Sequence, residues 1–365
     1  MSPQNTFHTA RPTLALEDVG SLLEPKWSEL TAYTKLKTSH PQRLIYPASY
    51  AGLKDTDRKT EEQKAFDKYN LVQRNGTLIA TVDSVQSQAN RIEPLFKTEL
   101  AELVPQIQIK GKVRTVNLLD LPHRIADATI ALSSLEDKVK EVLAAFYKGD
   151  ALPLAKFAPT SLIFGAWDSR GNAAIKIRRI ITSMIKAEDV SINYESAQFD
   201  SAAADLYRDE EGEIPAEESQ EKTKLSTFGL ADAPSCWQRS GVYVNGDIYQ
   251  FASLNLNLIR TYRTAKADET QLLQRYILGL TLAAFLRRQT FDLRAGCTLT
   301  RDGEDATQVR LCDSYGKEET VQTDYDHIVA FAKAAAKDFG VGQDLEADFL
   351  KAKADKVVSS VRKKK

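Results

Sequence analysis

Apolar positions recur along this chain with two periods, one typical of strands and one typical of helices. The run 77–82 predicts a strand, and Asp83 and Ser84 follow it as helix-capping residues. Helical spacing then predicts a helix with Ser84, Gln88 and Arg91 on one exposed strip, because positions i, i+4 and i+7 share a face. The buried stripe of this helix is predicted to contain Val85, Ala89, Ile92, Phe96 and Leu103.

The remaining pattern predicts strands and helices in no regular alternation. Strands are expected over 43–50, 107–109, 113–116, 160–165, 297–300 and 308–312, with a hairpin from 241 to 258. Helices are expected over 121–135, 139–146, 269–288 and 325–339, and at the lysine-rich C-terminus. Without a steady β–α order, the predicted fold class is α+β and not a doubly wound sheet.

The same pattern suggests three parts of the chain. Residues 1–42 show little periodicity and predict an irregular N-terminal segment, 43–340 form the main body, and 341–365 form a basic helix or tail. Within the body, the polar stretch 53–70 predicts an exposed excursion. The acidic stretch 200–225 has almost no aromatic residues and predicts a mobile insertion.

Composition excludes several classes of protein. The chain has 365 residues, of which 27% are charged and 42% hydrophobic, values typical of a soluble globular protein. No apolar run approaches the ~20 residues of a membrane helix, and the first residues lack signal-peptide features, so a cytoplasmic location is expected. Three dispersed cysteines and four dispersed histidines indicate neither a disulfide framework nor a metal site, and no cofactor is expected.

Charge is distributed unevenly although its sum is close to zero. The formal net charge is −1, but residues 200–224 hold nine acids and three bases, a net of −6, which leaves the rest of the chain at +5. Residues 170–186 carry five bases and no acid. A basic face masked in the sum by one acidic insertion is therefore predicted, and such a face suits nucleic acid.

Sequence motifs for common catalytic frameworks are absent from the chain. It has no phosphate-binding Walker loop, no dinucleotide-binding glycine pattern, no nucleophile elbow and no paired-histidine zinc motif. We therefore predict no catalytic residue.

The most specific binding signal lies on the helix after residue 84. The motif is Ser87-Gln88-x-x-Arg91, in which the amide of Gln88 and the guanidinium of Arg91 lie one turn apart and can bracket adjacent backbone phosphates. The alternative is that Arg91 pairs with Asp83 or Glu93 on its own surface.

Further candidates lie around the loop 166–171. Trp167 can stack on a base or pack its loop against the core, and Arg178 and Arg179 can bind phosphates or form a solvated edge. Arg124 can contact phosphate or make local hydrogen bonds. The candidate RNA-binding set is Ser87, Gln88, Arg91, Arg124, Trp167, Arg170, Lys176, Arg178 and Arg179.

Five ordered blocks carry a resemblance to a known family. They include VDSVQSQANRIE at 82–93 and PTSLIFGAWDSRG at 159–171, with shorter blocks at 44–52, 123–128 and 196–199. Together they resemble the backbone RAMP subunit, of the Cas-seven class, in the type I-U (also I-G) CRISPR Cascade effector complex. The resemblance covers roughly residues 43–314.

The resemblance implies a fold, a function and partners. The implied fold is an RRM-like, ferredoxin-like palm whose insertions form thumb and web elements. Several copies would polymerise along one CRISPR guide RNA in an antiviral ribonucleoprotein, beside a large subunit and a guide-end processing subunit, with target DNA recognised by guide pairing. Ser87, Gln88 and Arg91 match the family's phosphate-holding Ser-Gln-x-x-basic pattern, whereas Leu95 stands where relatives often have a further base.

Two alternatives belong to other functional classes. A metal-dependent RNA nuclease of the same fold would need converging carboxylates that the sequence does not nominate. A small-molecule enzyme on an α+β scaffold would need a deep pocket with a nucleophile or cofactor motif.

Overall fold

Strands form the framework of the protein. The computed structural model describes residues 14–15, 18–49, 69–168, 175–199 and 233–362, so the predictions for 53–68, 200–225 and Arg170 lie outside the described residues. The strands are β1 (Leu14–Ala15), β2 (Trp27–Thr38), β3 (Leu44–Ile45), β4 (Leu71–Arg74), β5 (Thr77–Asp83), β6 (Ile107–Lys110), β7 (Thr115–Asn117), β8 (Ala166–Asp168), β9 (Ile175–Ile177), β10 (Ile181–Ala187), β11 (Val190–Phe199), β12 (Ala233–Val244), β13 (Ile248–Asn255), β14 (Phe291–Arg294), β15 (Cys297–Arg301), β16 (Thr307–Asp313), β17 (Glu318–Gln322) and β18 (Leu345–Asp348).

Helices connect the strands and cover them. They are α1 (Val85–Ile92), α2 (Ala128–Ala131), α3 (Glu136–Tyr147), α4 (Leu152–Phe157), α5 (Thr160–Phe164), α6 (Leu256–Thr261), α7 (Ala267–Leu286), α8 (Tyr325–Phe339) and α9 (Lys351–Arg362). Short 3-10 turns occupy Val19–Leu23, Glu93–Lys97, Ala101–Leu103, Leu118–Asp120 and Arg124–Ala126. No helix of the described residues is long and apolar enough to cross a membrane.

One large sheet dominates, and it confirms the α+β class. The described strands follow the order β1-β17-β16-β2-β13-β10-β5-β4, and the β14–β15 pair joins through β2. All neighbours are antiparallel except β1 and β17. The prediction of an irregular segment over 1–42 is wrong for 27–38, because β2 lies at the centre of this sheet. Glu29, Lys35 and Lys37 interrupt its apolar pattern, so partners on both edges specify the strand, not its own sequence.

The described strands outside the large sheet form three smaller sheets. The predicted hairpin over 241–258 is wrong, because β12 pairs with β11 and β3 whereas β13 pairs with β10 and β2. The strand predicted at 43–50 is only the two-residue β3. β18 pairs in parallel with β6, which also pairs with β7, so the segment 341–365 contains a strand as well as α9. β8 and β9 form a two-stranded hairpin.

Within the described residues, two apolar clusters form the core. The larger lies between the sheet and the helices around α7, most of whose residues are buried. A Cβ on Gly279 would lie 2.8 Å from Cα of Ala332, so glycine permits the close contact of α7 with α8. The smaller cluster joins side chains of β5, β10 and β14 of the large sheet to side chains of β3 and β12 of a smaller sheet.

Two predictions of secondary structure are wrong next to this core. Residues 160–164 form α5 and not a strand; all five are buried, so no periodicity distinguishes the two. The stretch 121–135, predicted as one helix, holds only the turn Arg124–Ala126 and the four-residue α2.

Candidate nucleic-acid interface

A buried carboxylate organises the start of α1. Asp83 is 0% exposed, and its two oxygens accept hydrogen bonds from four side chains. Oδ1 accepts hydrogen bonds from Ser87 Oγ at 2.9 Å and from Arg294 Nη2 at 2.7 Å. Oδ2 accepts hydrogen bonds from Gln88 Nε2 at 2.6 Å and from Arg91 Nε at 3.1 Å. We call these five residues the Asp83 cluster. The cluster ties α1 to β5 and to β14.

Gln88 faces the interior and not solvent. Its side chain is 0% exposed, and its Oε1 accepts from Ser183 Oγ at 3.1 Å and from Gln250 Nε2 at 2.9 Å. The expectation of one exposed strip is therefore wrong for Gln88. The helical period was correct, but a polar residue can be buried when the sheet beneath the helix supplies partners, and periodicity does not show this.

Arg91 is engaged by its own protein. Besides Asp83, it donates through Nη2 to the carbonyl oxygen of Leu293 at 2.5 Å and through Nη1 to that of Asp292 at 3.5 Å, and its side chain is 33% exposed. The pairing with Asp83 that the sequence left open is thus present. Phosphate binding by Ser87 and Arg91 stays a prediction.

Arg124 is also placed inside the protein. It is 1% exposed, pairs with Glu93 through Nη2 at 2.8 Å, and donates through Nη1 to the Gly165 carbonyl at 3.1 Å. The Phe164 ring lies 5.2 Å from its guanidinium. Burial raises the pKa of Glu93, and Arg124 opposes that rise. In this position, the Arg124 side chain does not reach the protein surface, where a nucleic-acid strand would bind.

The β8–β9 hairpin presents an aromatic ring beside a cation. Trp167 is 58% exposed, so it does not pack its loop into the core, and its cross-strand partner is the exposed Lys176. The backbone N–H of Lys176 donates to the hydroxyl of Tyr147 at 2.9 Å, and Tyr147 is itself 54% exposed. The β8–β9 hairpin therefore contacts the C-terminal end of α3.

The arginines after the hairpin differ from each other. Arg178 is exposed, whereas Arg179 is half-buried, and its pKa is lowered by burial and by nearby Arg124. Within the described part of the chain, no acidic group pairs with the Lys176 or Arg178 side chain. We call Tyr147, Trp167, Lys176 and Arg178 the hairpin surface.

This arrangement suits single-stranded nucleic acid. An exposed indole offers a face on which a base can stack, and unpaired cations beside it can bind neighbouring phosphates. Sequence reasoning missed Tyr147, although its position beyond the buried stripe of α3 was a usable signal. The described residues contain no group of three or more His, Cys, Asp or Glu side chains placed to hold a metal ion.

Comparison with known families adds one further observation. Residues 30–192 match the family described as "CRISPR-associated protein GSU0053". This part of the chain resembles a CRISPR-associated family. The match runs from β2 into β11, includes α1 and the hairpin surface, and confirms the resemblance to CRISPR-associated proteins seen in the sequence.

Other comparisons are more distant. No curated protein sequence matches the chain. Among solved structures, a chain of "CRISPR RNA-guided surveillance complex, pre-nicking" is 12% identical, with 78% of this chain and 75% of that chain covered and a TM-score of 0.30. A chain of "Type IV-B CRISPR Complex" is 10% identical, with 82% and 96% covered and a TM-score of 0.22.

Proposed function

We propose that the protein is an RNA-binding subunit of a CRISPR effector complex of the Cascade kind, type I-U or I-G. Several copies would polymerise along one guide RNA, beside other subunits and in the cytoplasm, and the target DNA strand would pair with the guide. The hairpin surface is the observation that carries this proposal, and the family match over 30–192 supports it.

The physical reason lies in what a guide must leave free. Guide bases have to pair with target, so the protein has to hold the RNA through its phosphates. Lys176 and Arg178 supply cations that bind phosphates whatever the RNA sequence is. Trp167 supplies one stacking face for a guide base that is unstacked from its neighbours. The large antiparallel sheet would then be the RRM-like, ferredoxin-like palm, with inserted segments as thumb and web.

Removing the two hairpin cations should weaken RNA binding without regard to sequence. For Lys176→Ala/Arg178→Ala we expect weaker binding of unrelated single-stranded RNAs and a salt slope that falls by ~0.7 per lost contact. Salt-titrated binding of purified full-length protein measures both quantities.

Lys140→Ala is the matched control, because that exposed lysine already pairs with Glu136 and Asp137. The control should bind as wild type does. Unchanged affinity and slope in the folded double variant would refute an RNA interface on the hairpin surface.

We further propose that the protein binds RNA without cleaving it. Labelled RNA and single-stranded DNA should stay intact during incubation with Mg²⁺ or Mn²⁺, followed on denaturing gels. Cleavage that persists through purification and disappears in Asp168→Ala would instead favour a metal-dependent nuclease.

A further inference from the structure

The large sheet carries a second group of aromatic residues, on strands outside the hairpin, in which Phe251 is exposed and Tyr33 and Tyr249 are half-buried. Strand register places side chains of four neighbouring strands in rows across one side of the sheet. Tyr33 pairs with Phe251, and Phe251 pairs with Met184, so these three share one side. Gln308 of β16 extends the row beyond Tyr33. The other side of β13, with Ile248 and Leu254 at 0% exposure, faces the core.

The next row along the same strands is basic and aromatic. Tyr249 of β13 pairs with Lys35 on one neighbour and with Lys186 on the other. The rings of Tyr33 and Tyr249 stack across the two rows with centroids 5.2 Å apart, and Phe251 of the first row is 40% exposed. We call Tyr33, Lys35, Met184, Lys186, Tyr249, Phe251 and Gln308 the sheet face.

Two acids beside the sheet face have partners within the protein, whereas two cations form no ion pair among the described residues. Lys35 pairs with Asp247 at 3.4 Å, and Glu188 accepts a hydrogen bond from the Tyr249 hydroxyl at 3.0 Å, so both acids have partners. In the described part of the chain, neither the Lys186 side chain nor the Arg74 side chain forms an ion pair. Arg74 is exposed on the edge strand β4, and its charge acts on the Tyr249 hydroxyl.

We propose that the sheet face is a second nucleic-acid surface, which takes an unpaired single strand by stacking a base on Phe251 and placing a neighbouring phosphate on Lys186. Aromatic side chains on central strands of a sheet, with cations beside them, have the chemistry for that ligand. The surface goes beyond the proposed guide interface, because its residues lie on β2, β10, β13 and β16 of the large sheet and not on the β8–β9 hairpin.

Abasic oligonucleotides separate stacking from charge. With oligo-dT and oligo-rU, Phe251→Ala should weaken binding by roughly 5- to 150-fold, the range for loss of one base–aromatic stack. With abasic oligonucleotides of equal length and charge, the same variant should bind as wild type does. A loss larger for oligo-rU, or larger for oligo-dT, identifies the natural strand as RNA or DNA.

Conservative variants distinguish nucleic acid from a protein partner. Phe251→Tyr keeps the ring and should bind as wild type does, whereas Phe251→Leu keeps apolar bulk without a π face and should lose binding as alanine does. Tyr315→Ala, which removes a 96% exposed ring from the β16–β17 turn, is the matched control and should change nothing.

Either of two results would overturn the inference. One is full binding by Phe251→Leu or by folded Phe251→Ala. The other is a loss of self-association by Phe251→Ala in sedimentation with nucleic-acid affinity unchanged, which would make the face a protein contact. In both cases the hairpin variants could still lose RNA binding, so the two proposals fail separately.

Discussion

Replacing Asp83 by alanine is expected to lower the free energy of unfolding by about 3–5 kcal/mol, the range for removing one partner of a buried ion pair. The variant leaves the guanidinium groups of Arg91 and Arg294 without their common acceptor. It also leaves the amide of Gln88, at 0% exposure, without the oxygen to which it donates. Urea unfolding of the purified variant measures the loss.

Asp120→Ala is the matched control for this experiment. Asp120 also pairs with a base, Lys97 at 2.7 Å, but both side chains are about 40% exposed, so a change of less than about 1 kcal/mol is expected. A similarly small change for Asp83→Ala would show that the Asp83 cluster does not stabilise the fold. Because Arg91 belongs to that cluster, any RNA-binding assay of Arg91→Ala has to be paired with a measurement of its stability.

Replacing Arg124 by methionine should destabilise the protein by a comparable amount, about 3–5 kcal/mol near neutral pH, because Glu93 is left as an unpaired buried charge. The double variant Glu93→Gln/Arg124→Met removes that charge and should recover much of the loss. Thermal or urea unfolding of wild type, both single variants and the double variant completes the cycle.

The Arg124→Met deficit should depend on pH with a defined sign. Burial holds the pKa of Glu93 above its ordinary value of 4.5, and loss of Arg124 removes an interaction that lowers it, so the pKa rises further. A carboxyl whose pKa is raised by folding stabilises below its unfolded pKa and loses that contribution as the pH rises through the folded pKa. The deficit should therefore be larger at pH 7.5 than at pH 5, and an equal deficit at both would contradict the assignment.

Sequence predicted the elements that carry their own boundary signals. α8 begins and ends at the predicted residues, Tyr325 and Phe339, because an N-capping aspartate precedes it, a glycine follows it and its apolar positions keep a helical period. The junction of β5 and α1 was also predictable from its capping residues. Ser84 caps α1, because its Oγ accepts a hydrogen bond from the Ser87 N–H at 3.3 Å.

Elements that depend on distant partners were not predictable in this way. β2 owes its conformation to β13 and β16, and α5 is buried at all five positions, which leaves it without a period. Gln88 was assigned to the surface because the polar partners that bury it, Ser183 and Gln250, are about 95 and 162 positions away.

The candidate site was predictable in residue type but not in placement. The sequence predicts Trp167, Lys176 and Arg178, and the structure exposes all three and pairs Trp167 with Lys176 across the β8–β9 hairpin. Arg124 came from the same kind of reasoning and is buried. An arginine in a short apolar segment has no local signal that separates a core ion pair from a surface contact, because its acidic partner lies elsewhere in the chain.

The position of β2 also bears on how the chain folds during its synthesis. β2 is complete at residue 38, yet the strands that flank it, β13, β15 and β16, begin only at Ile248, Cys297 and Thr307. At about 5–20 residues per second, the ribosome needs on the order of ten seconds or more to supply them. During that interval both edges of a twelve-residue strand lack their native partners, and a free edge is a template for pairing with another chain. Crowding of nascent chains on one messenger therefore favours misassembly through β2, and slower elongation before residue 248 prolongs that exposure.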